Sequence, residues 1–135
     1  TKVLTMDGEL PVEYLAAGDR IITRSGSRKL VAVEVHAVQN LTMIRISEGV
    51  LGKDRPDGDM LVTPDQPILV RDWRAKALFG TAQAMIPAAQ LVDGEYIRTE
   101  TVKDARVFTL RFEEDVMIYA GALELSAAAQ APARV

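Results

Sequence analysis

The chain has 135 residues, of which 48% are hydrophobic and 26% are charged, a balance typical of one globular domain with its own core. Its formal net charge of -3 argues against nucleic-acid binding, because surfaces that contact phosphates are basic. With no cysteine and one histidine, the sequence excludes disulfides, thiolate metal sites, a cysteine nucleophile and multi-histidine metal sites, so we expect neither a metal nor a cofactor.

The chain is also expected to lack a membrane span. No apolar run approaches the roughly 20 residues that a membrane-spanning helix needs. The first five residues do not have the charged start and the long apolar stretch of a signal peptide.

An internal repeat begins near the amino terminus. Residues 11–23 and 87–99 share the pattern P-x-x-x-L-x-x-G-[DE]-x-I-x-T, at a constant offset (87 − 11 = 76 residues). In each copy, proline can begin a short helical turn, glycine can end it in a left-handed conformation, and a β-branched strand follows. The same local chemistry used twice would account for parts of the pattern, whereas a duplicated unit accounts for all of it. The repeat therefore predicts two similar halves related by a pseudo-twofold axis.

Pairs of strands are predicted after each copy of the repeat and at the middle of the chain. Apolar residues alternate there as in half-buried strands. The predicted strands are residues 29–38 and 41–46, 106–112 and 116–120, and 60–63 and 67–71. Residues 39–40 and 113–115 are predicted turns, and Pro64 and Pro67 flank the turn of the middle pair.

Three further segments are interpreted from their composition. Residues 49–59 form a polar loop whose aspartates lack the spacing of a helix–loop–helix calcium site, so a solvated loop is expected. Trp73 is expected to pack in the core, and a cation–π contact with Arg74 is the alternative. Residues 127–135 are low in complexity and are expected to fray or to link to another segment, outside a domain of residues 1–126.

The predicted architecture is all-β. No segment shows a long amphipathic helix, and the helical turns at residues 11–17 and 87–93 are too short to be stable alone. Many short strands with frequent turns favour a sandwich or a partly closed barrel that carries two short helical turns.

The order and spacing of these segments resemble the Hint (hedgehog/intein) domain family, in the bacterial branch found in secreted, repeat-containing proteins. The segments that carry the resemblance are residues 1–5, 8–15, 18–21, 61–69, 72–75, 78–80, 87–99 and 108–126. The resemblance implies a pseudo-twofold β horseshoe, and this agrees with the repeat.

The resemblance also implies a chemistry and a candidate site. In the family, a Cys, less often Ser or Thr, attacks the preceding carbonyl, while a Thr and a His three positions apart polarise and protonate the scissile amide. Thr63 stands at the position of that Thr, Gln66 at that of the His, and the nucleophile would lie upstream of residue 1. Glutamine cannot donate a proton as imidazolium does. Asp65 is a poor substitute near neutral pH, and Asp115 falls near a second histidine position of the family.

The candidate catalytic residues are therefore Thr63, Asp65, Gln66 and Asp115. The resemblance implies a domain related to protein self-cleavage and splicing that is inactive as given; the missing residues argue against an enzyme and leave that question open. A non-catalytic protein-binding or structural module on the same scaffold is the alternative. The implied partners are flanking segments of its own polypeptide or another protein, and only the resemblance suggests a secreted bacterial location. The oligomeric state is left open.

Two other chemical hypotheses follow from single residues. Thr1 could serve as a nucleophile if it were an exposed amino terminus, although it matches a later residue of the Hint pattern. An enzyme acting on an external substrate would require Thr63, Asp65, His36 and Asp115 to form one polar cluster. A solvated strand position is the simpler interpretation of His36.

Overall fold

The computed structural model describes residues 1–135 and is built mainly of antiparallel strands. The strands are β1 (Lys2–Thr5), β2 (Gly8–Pro11), β3 (Arg20–Thr23), β4 (Gly26–Lys29), β5 (Ala32–Ile46), β6 (Met60–Val62), β7 (Pro67–Val70), β8 (Ala84–Pro87), β9 (Ile97–Arg111), β10 (Val116–Ala120), β11 (Leu123–Ala127) and β12 (Ala133–Arg134). One helix, α1 (Trp73–Phe79), and two 3-10 turns, Val12–Tyr14 and Ala88–Leu91, complete the fold. The all-β prediction is confirmed. None of the helical segments has the length and apolar character that crossing a membrane requires.

The strands form two sheets that share one core. The larger has the order β2-β1-β3-β10-β11-β7-β8, with β4 beside β3, and the smaller has the order β12-β9-β5-β6. Side chains from both sheets, including the fully buried Ile21, Ile68 and Ile97, contribute to a core cluster of 28 buried residues. Burial of each such side chain stabilises the fold by roughly 1.5–3 kcal/mol.

The two copies of the sequence repeat fold alike. Pro11 (φ -54°, ψ 139°) and Pro87 (φ -57°, ψ 136°) each end the second strand of a hairpin and lead into a 3-10 turn. Gly18 and Gly94 follow with φ values of 94° and 81°, in the left-handed region that glycine adopts without a steric penalty. Each copy then enters a strand. The predicted pseudo-twofold relationship is confirmed at the level of this hairpin, turn and strand.

A long two-stranded ribbon, β5 with β9, spans the smaller sheet. Its pairing runs without a break in register from Ala32 opposite Arg111 to Ile46 opposite Ile97. The prediction of a turn at residues 39–40 is therefore wrong. Asn40 adopts φ 53° inside the strand, a left-handed conformation that asparagine tolerates better than most residues. The polar dipeptide marks a local kink in one strand. The turn predicted at residues 113–115 does connect two strands, β9 and β10.

The carboxyl-terminal segment packs on the ribbon. Ala133 and Arg134 of β12 pair with Leu110 and Thr109 of β9. Val135 then exchanges two backbone hydrogen bonds with Phe108, with N···O distances of 2.8 and 3.1 Å. Ala133 and Val135 are buried. The low complexity of this segment thus reflects small residues that fit against the sheet.

Helix α1 was not predicted, and it changes the interpretation of Trp73. The Asp72 carboxylate accepts a hydrogen bond from the Arg74 N–H at 2.9 Å and caps the helix, and Gly80 ends it at φ 71°. Trp73 is 70% exposed, so the expectation of core packing is wrong. The alternative contact is present, because the Arg74 guanidinium carbon lies 4.7 Å from the centre of the Trp73 ring.

The two-residue turn between β10 and β11 lies close to Met60 of the smaller sheet. Gly121 (φ 55°) and Ala122 (φ 66°) are both left-handed, as a type I′ hairpin requires. A Cβ on Gly121 would lie 2.4 Å from the sulfur of Met60, a residue of the other sheet. We expect Gly121→Ala to lower the free energy of unfolding in urea by about 1–3 kcal/mol through overpacking.

The matched control is Ala122→Gly in the same turn. It removes a Cβ from a left-handed residue, so it should leave stability unchanged or raise it. A Gly121→Ala variant as stable as the unmodified chain would show that Met60 moves aside freely.

Candidate functional site

The central turn, residues 63–66, links the two sheets. It leaves β6 of the smaller sheet at Val62 and enters β7 of the larger sheet at Pro67. A backbone hydrogen bond from the Gln66 N–H to the Thr63 carbonyl, 3.1 Å long, closes the turn. Three of the four candidate residues, Thr63, Asp65 and Gln66, are therefore brought together by this connection.

Thr63 and Asp65 form a short polar chain that leads to the carboxyl-terminal segment. The buried Thr63 hydroxyl donates to Oδ1 of Asp65 at 2.8 Å. Oδ2 of the largely exposed Asp65 carboxylate lies 3.3 Å from the Arg134 guanidinium. The hydroxyl hydrogen of Thr63 is thus engaged with its own neighbour, and the carboxylate faces solvent and a cation.

Gln66 is 2% exposed and uses its whole side-chain amide within the protein. Nε2 donates to the carbonyls of Pro67, at 2.9 Å, and Ser126, at 3.0 Å. Oε1 accepts from the Arg134 N–H at 2.8 Å. Because an amide nitrogen carries two hydrogens, no Gln66 donor is left for a bound group. The side chain joins the central turn to β11 and β12.

Asp115 lies apart from the other three candidates. It sits in the turn between β9 and β10, and its Oδ1 accepts a hydrogen bond from the Ala129 N–H at 2.8 Å. Asp115 lines neither of the two cavities around Thr63. The structure therefore does not bring Asp115 to the central turn; its carboxylate holds the segment that follows β11, and a role in the site stays a prediction.

An open cavity of about 390 Å³ lies over the ribbon beside Thr63. Its polar lining also includes Glu34, His36, Thr109, Arg111 and Arg134. The Arg111 guanidinium forms an ion pair with Glu34, and Nε2 of His36 lies 3.8 Å from the same carboxylate. Sequence analysis did not single out Glu34, Arg111 or Arg134, because only the register of β5, β9 and β12 places them side by side.

The hypothetical cluster of an external-substrate enzyme is not assembled. Thr63 and His36 line the larger cavity, whereas Asp65 lines a separate cavity of about 70 Å³ with Gln66 and Arg134. His36 makes no hydrogen bond to a hydroxyl group, and the Thr63 hydroxyl donates only to the Asp65 carboxylate, so the threonine and the histidine are not paired. No group of three or more His, Cys, Asp or Glu side chains is placed to hold a metal ion.

Comparisons with known proteins agree on one family. The model of the Hint domain family matches residues 1–129. A solution structure of a bacterial intein-like domain from Clostridium thermocellum is 16% identical, with a TM-score of 0.64 over 93% of each chain. The gp41-1 intein is 12% identical, with a TM-score of 0.59 over 93% of this chain and 92% of its own.

The N145AA form of the MchDnaB-1 intein is 15% identical, with a TM-score of 0.58 over 95% of this chain and 96% of its own. At such identities these structures show a shared fold. No curated protein matches the sequence.

Truncation of Gln66 should cost more stability than loss of the neighbouring charge. Gln66→Ala leaves the Arg134 N–H and the Ser126 carbonyl without partners in a buried place, so we expect a loss of at least about 2 kcal/mol in the free energy of unfolding. Asp65→Ala removes a largely exposed ion pair and one hydrogen bond from the Thr63 hydroxyl, and should cost about 1 kcal/mol, less than Gln66→Ala. Equal losses in denaturant unfolding would contradict the bridging role of Gln66.

The Glu34–Arg111 ion pair in the larger cavity predicts that the stability of the fold decreases at acid pH. The hydrogen bond from Arg111 holds the pKa of the partly exposed Glu34 carboxyl below its ordinary value of 4.5, against the opposing effect of desolvation and with contributions from the charges of Arg111, His36 and Arg134. Stability from this pair is therefore complete above pH 4.5 and is lost as the pH falls through the lowered folded value.

The matched test compares Glu34→Gln with Glu9→Gln, a change at an exposed carboxylate on β2. The stability difference between the unmodified chain and Glu34→Gln should shrink below pH 4.5. The corresponding difference for Glu9→Gln should not follow that course. A carboxyl NMR titration that places Glu34 at or above its ordinary pKa would refute the assignment.

Proposed function

The chain belongs to the Hint domain family, and we propose that it is a Hint domain related to protein self-cleavage and splicing that does not cleave itself as given. Structures with the same fold include inteins and a bacterial intein-like domain. The question for this chain is whether its own residues can carry out self-cleavage. The observation that carries it is the arrangement of the Gln66 amide.

The family's reaction, as the sequence resemblance implies it, needs a proton for the departing amide nitrogen. Gln66 occupies the position where that donor is expected. Its amide does not ionise, and both of its N–H groups already donate to the carbonyls of Pro67 and Ser126. To donate a proton at this position, the amide would have to break its buried hydrogen bonds. It would also have to act as an acid, and a side-chain amide does not ionise.

The second missing element is a nucleophile beside the site. The chain contains no cysteine. The only base in contact with the Thr63 hydroxyl is the largely exposed Asp65 carboxylate, which also pairs with Arg134, and Thr1 lines a different cavity from Thr63. Without an activated nucleophile, the acyl shift that converts an amide into an ester or thioester has no first step.

A non-catalytic binding or structural module is the second candidate function, and one arrangement favours it. The residues at the expected catalytic positions contact the carboxyl-terminal segment. Gln66 accepts from the Arg134 N–H, Asp65 pairs with the Arg134 side chain, and Asp115 accepts from the Ala129 N–H. These side chains thus hold a strand in place, a role that requires no proton transfer.

The test uses the chain as given, with a different affinity tag on each side. After incubation with and without a thiol, we expect mass spectrometry to find only the intact fusion. Gln66→His should also stay intact, because the added imidazole does not supply a nucleophile. A related Hint domain that cleaves its own tags under the same conditions is the positive control. Release of either tag from the unmodified chain would overturn the proposal.

A further inference from the structure

One face of the ribbon carries a row of polar side chains that line the larger cavity. Glu34 of β5, Thr109 of β9 and Arg134 of β12 lie side by side in the register of the smaller sheet, so their side chains share one face. Arg111 lies two residues along β9 and therefore on the same face. All four residues line the open cavity of about 390 Å³. Strand register thus gathers two guanidinium groups, one carboxylate and one hydroxyl at one end of the cavity.

Thr109 carries a buried hydroxyl that has no partner within the protein. The residue is 2% exposed, yet its hydroxyl forms no hydrogen bond, whereas the hydroxyl of Thr63 in the same cavity donates to Asp65. The unpartnered side-chain atoms that are fully sealed from solvent belong to Arg55 and Glu124, so the Thr109 hydroxyl keeps access to the cavity. Most buried side-chain polar groups have a hydrogen-bond partner. A hydroxyl held at the wall of a cavity without one therefore indicates an acceptor on a molecule that enters the cavity.

The charges around this hydroxyl favour an anion. Arg111 bonds to Glu34 through Nε alone, and Arg134 contacts Asp65 through Nη1 alone, so each guanidinium keeps N–H groups without a protein acceptor. Asp65 lines the separate smaller cavity, and His36 adds a charge only when it is protonated. With His36 neutral, the lining of the larger cavity carries two positive charges and one negative charge. A singly charged carboxylate fits this balance, and guanidinium groups bind carboxylates through paired hydrogen bonds.

The other end of the cavity is apolar. Val107 is buried and lies two residues from Thr109 on the same face of β9, a step of about 7 Å along the strand. Val38 and Leu41 of β5 also line the cavity, and the register places both beyond Val107. The volume of the cavity is within the roughly 300–1,000 Å³ range of small-molecule sites. The lining therefore suits a short alkyl chain that begins at a carboxylate.

We propose that the larger cavity binds a small aliphatic carboxylate. Its carboxylate accepts hydrogen bonds from the Thr109 hydroxyl and from the free N–H groups of Arg111 and Arg134, and its alkyl chain packs against Val107. Glu34 competes with the ligand for Arg111 and so limits the affinity. The inference goes beyond the proposed function, because this binding involves no cleavage and leaves the chain unchanged.

The experiment titrates isocaproate into the full chain and follows amide and methyl NMR signals. Signals of Thr109, Val107 and Val38 should shift together and saturate, with a dissociation constant of about 1 mM or lower. Isocaproamide has the same shape without the charge and should bind at least about tenfold more weakly. Acetate keeps the carboxylate but lacks the alkyl chain, and it should bind at least about fivefold more weakly.

Four variants separate the roles of the lining residues. Arg134→Gln and Thr109→Val each remove a donor and should weaken isocaproate binding about fivefold or more. Glu34→Gln frees Arg111 and should strengthen binding about threefold or more. The matched control is Arg106→Gln on the same strand, which lines a different cavity and should change the affinity less than about twofold. Arg134 is 43% exposed, so Arg134→Gln decides the question if Thr109→Val unfolds the chain.

Each of the following results would overturn the proposal. An absence of saturable shifts up to about 20 mM isocaproate would show that the cavity holds no carboxylate site. Equal binding of isocaproamide would show that the charge is not recognised. Tighter binding of the peptide acetyl-Ala-Leu, which ends in a carboxylate, would assign the site to a polypeptide carboxyl terminus and not to a free acid. Equal weakening by Arg106→Gln and Arg134→Gln would reduce the effect to the net charge of the protein.

Discussion

The two sheets are connected where the chain crosses from β6 to β7. There the buried side-chain amide of Gln66 forms hydrogen bonds with three backbone groups at once. Its nitrogen bonds to carbonyls on both sides of the β7–β11 pairing, and its oxygen fixes the start of β12 against β9. A buried polar group of this kind stabilises the fold only while all of its partners stay in place, since each lost partner leaves an unsatisfied group. The central turn is consequently a structural junction as well as the candidate site.

A second buried polar group connects the parts of the larger sheet. Glu124 on β11 is 6% exposed, and its carboxylate lies 3.0 Å from the Arg24 guanidinium and 2.9 Å from that of Arg71. Arg24 follows β3 and Arg71 follows β7, so the acid joins two segments of the larger sheet that are distant in the sequence. Such a pair of contacts adds little net stability but penalises any packing that separates them. The Glu124 ion pairs and the buried apolar side chains thus favour the same packing of the larger sheet.

The sequence predicted those parts of the fold whose signals are local. The Pro-to-Thr repeat specified both 3-10 turns and the strands after them, because proline, glycine and the buried isoleucines each act within a few residues. The ribbon was harder to predict. Val35 is 50% exposed although it alternates with polar residues, because much of the ribbon has no sheet packed against it. Helix α1 had a usable signal in Asp72 and Gly80. The cavity residues Glu34, Arg111 and Arg134 had none, since strand register alone brings them together.

The family pattern that the sequence resembles has a histidine where this chain has Gln66, and the two side chains differ in the hydrogen bonds that they can make. A neutral imidazole offers one N–H and one acceptor nitrogen, whereas the amide offers two N–H groups and an acceptor oxygen. The two carbonyls and the one N–H that surround Gln66 match the amide in number and kind. An imidazole with one N–H could not donate to both of the carbonyls that Gln66 bonds, those of Pro67 and Ser126. The geometry around Gln66 therefore suits an amide that holds β12 in place. It leaves no free donor for the proton transfer that the resemblance would assign to this position.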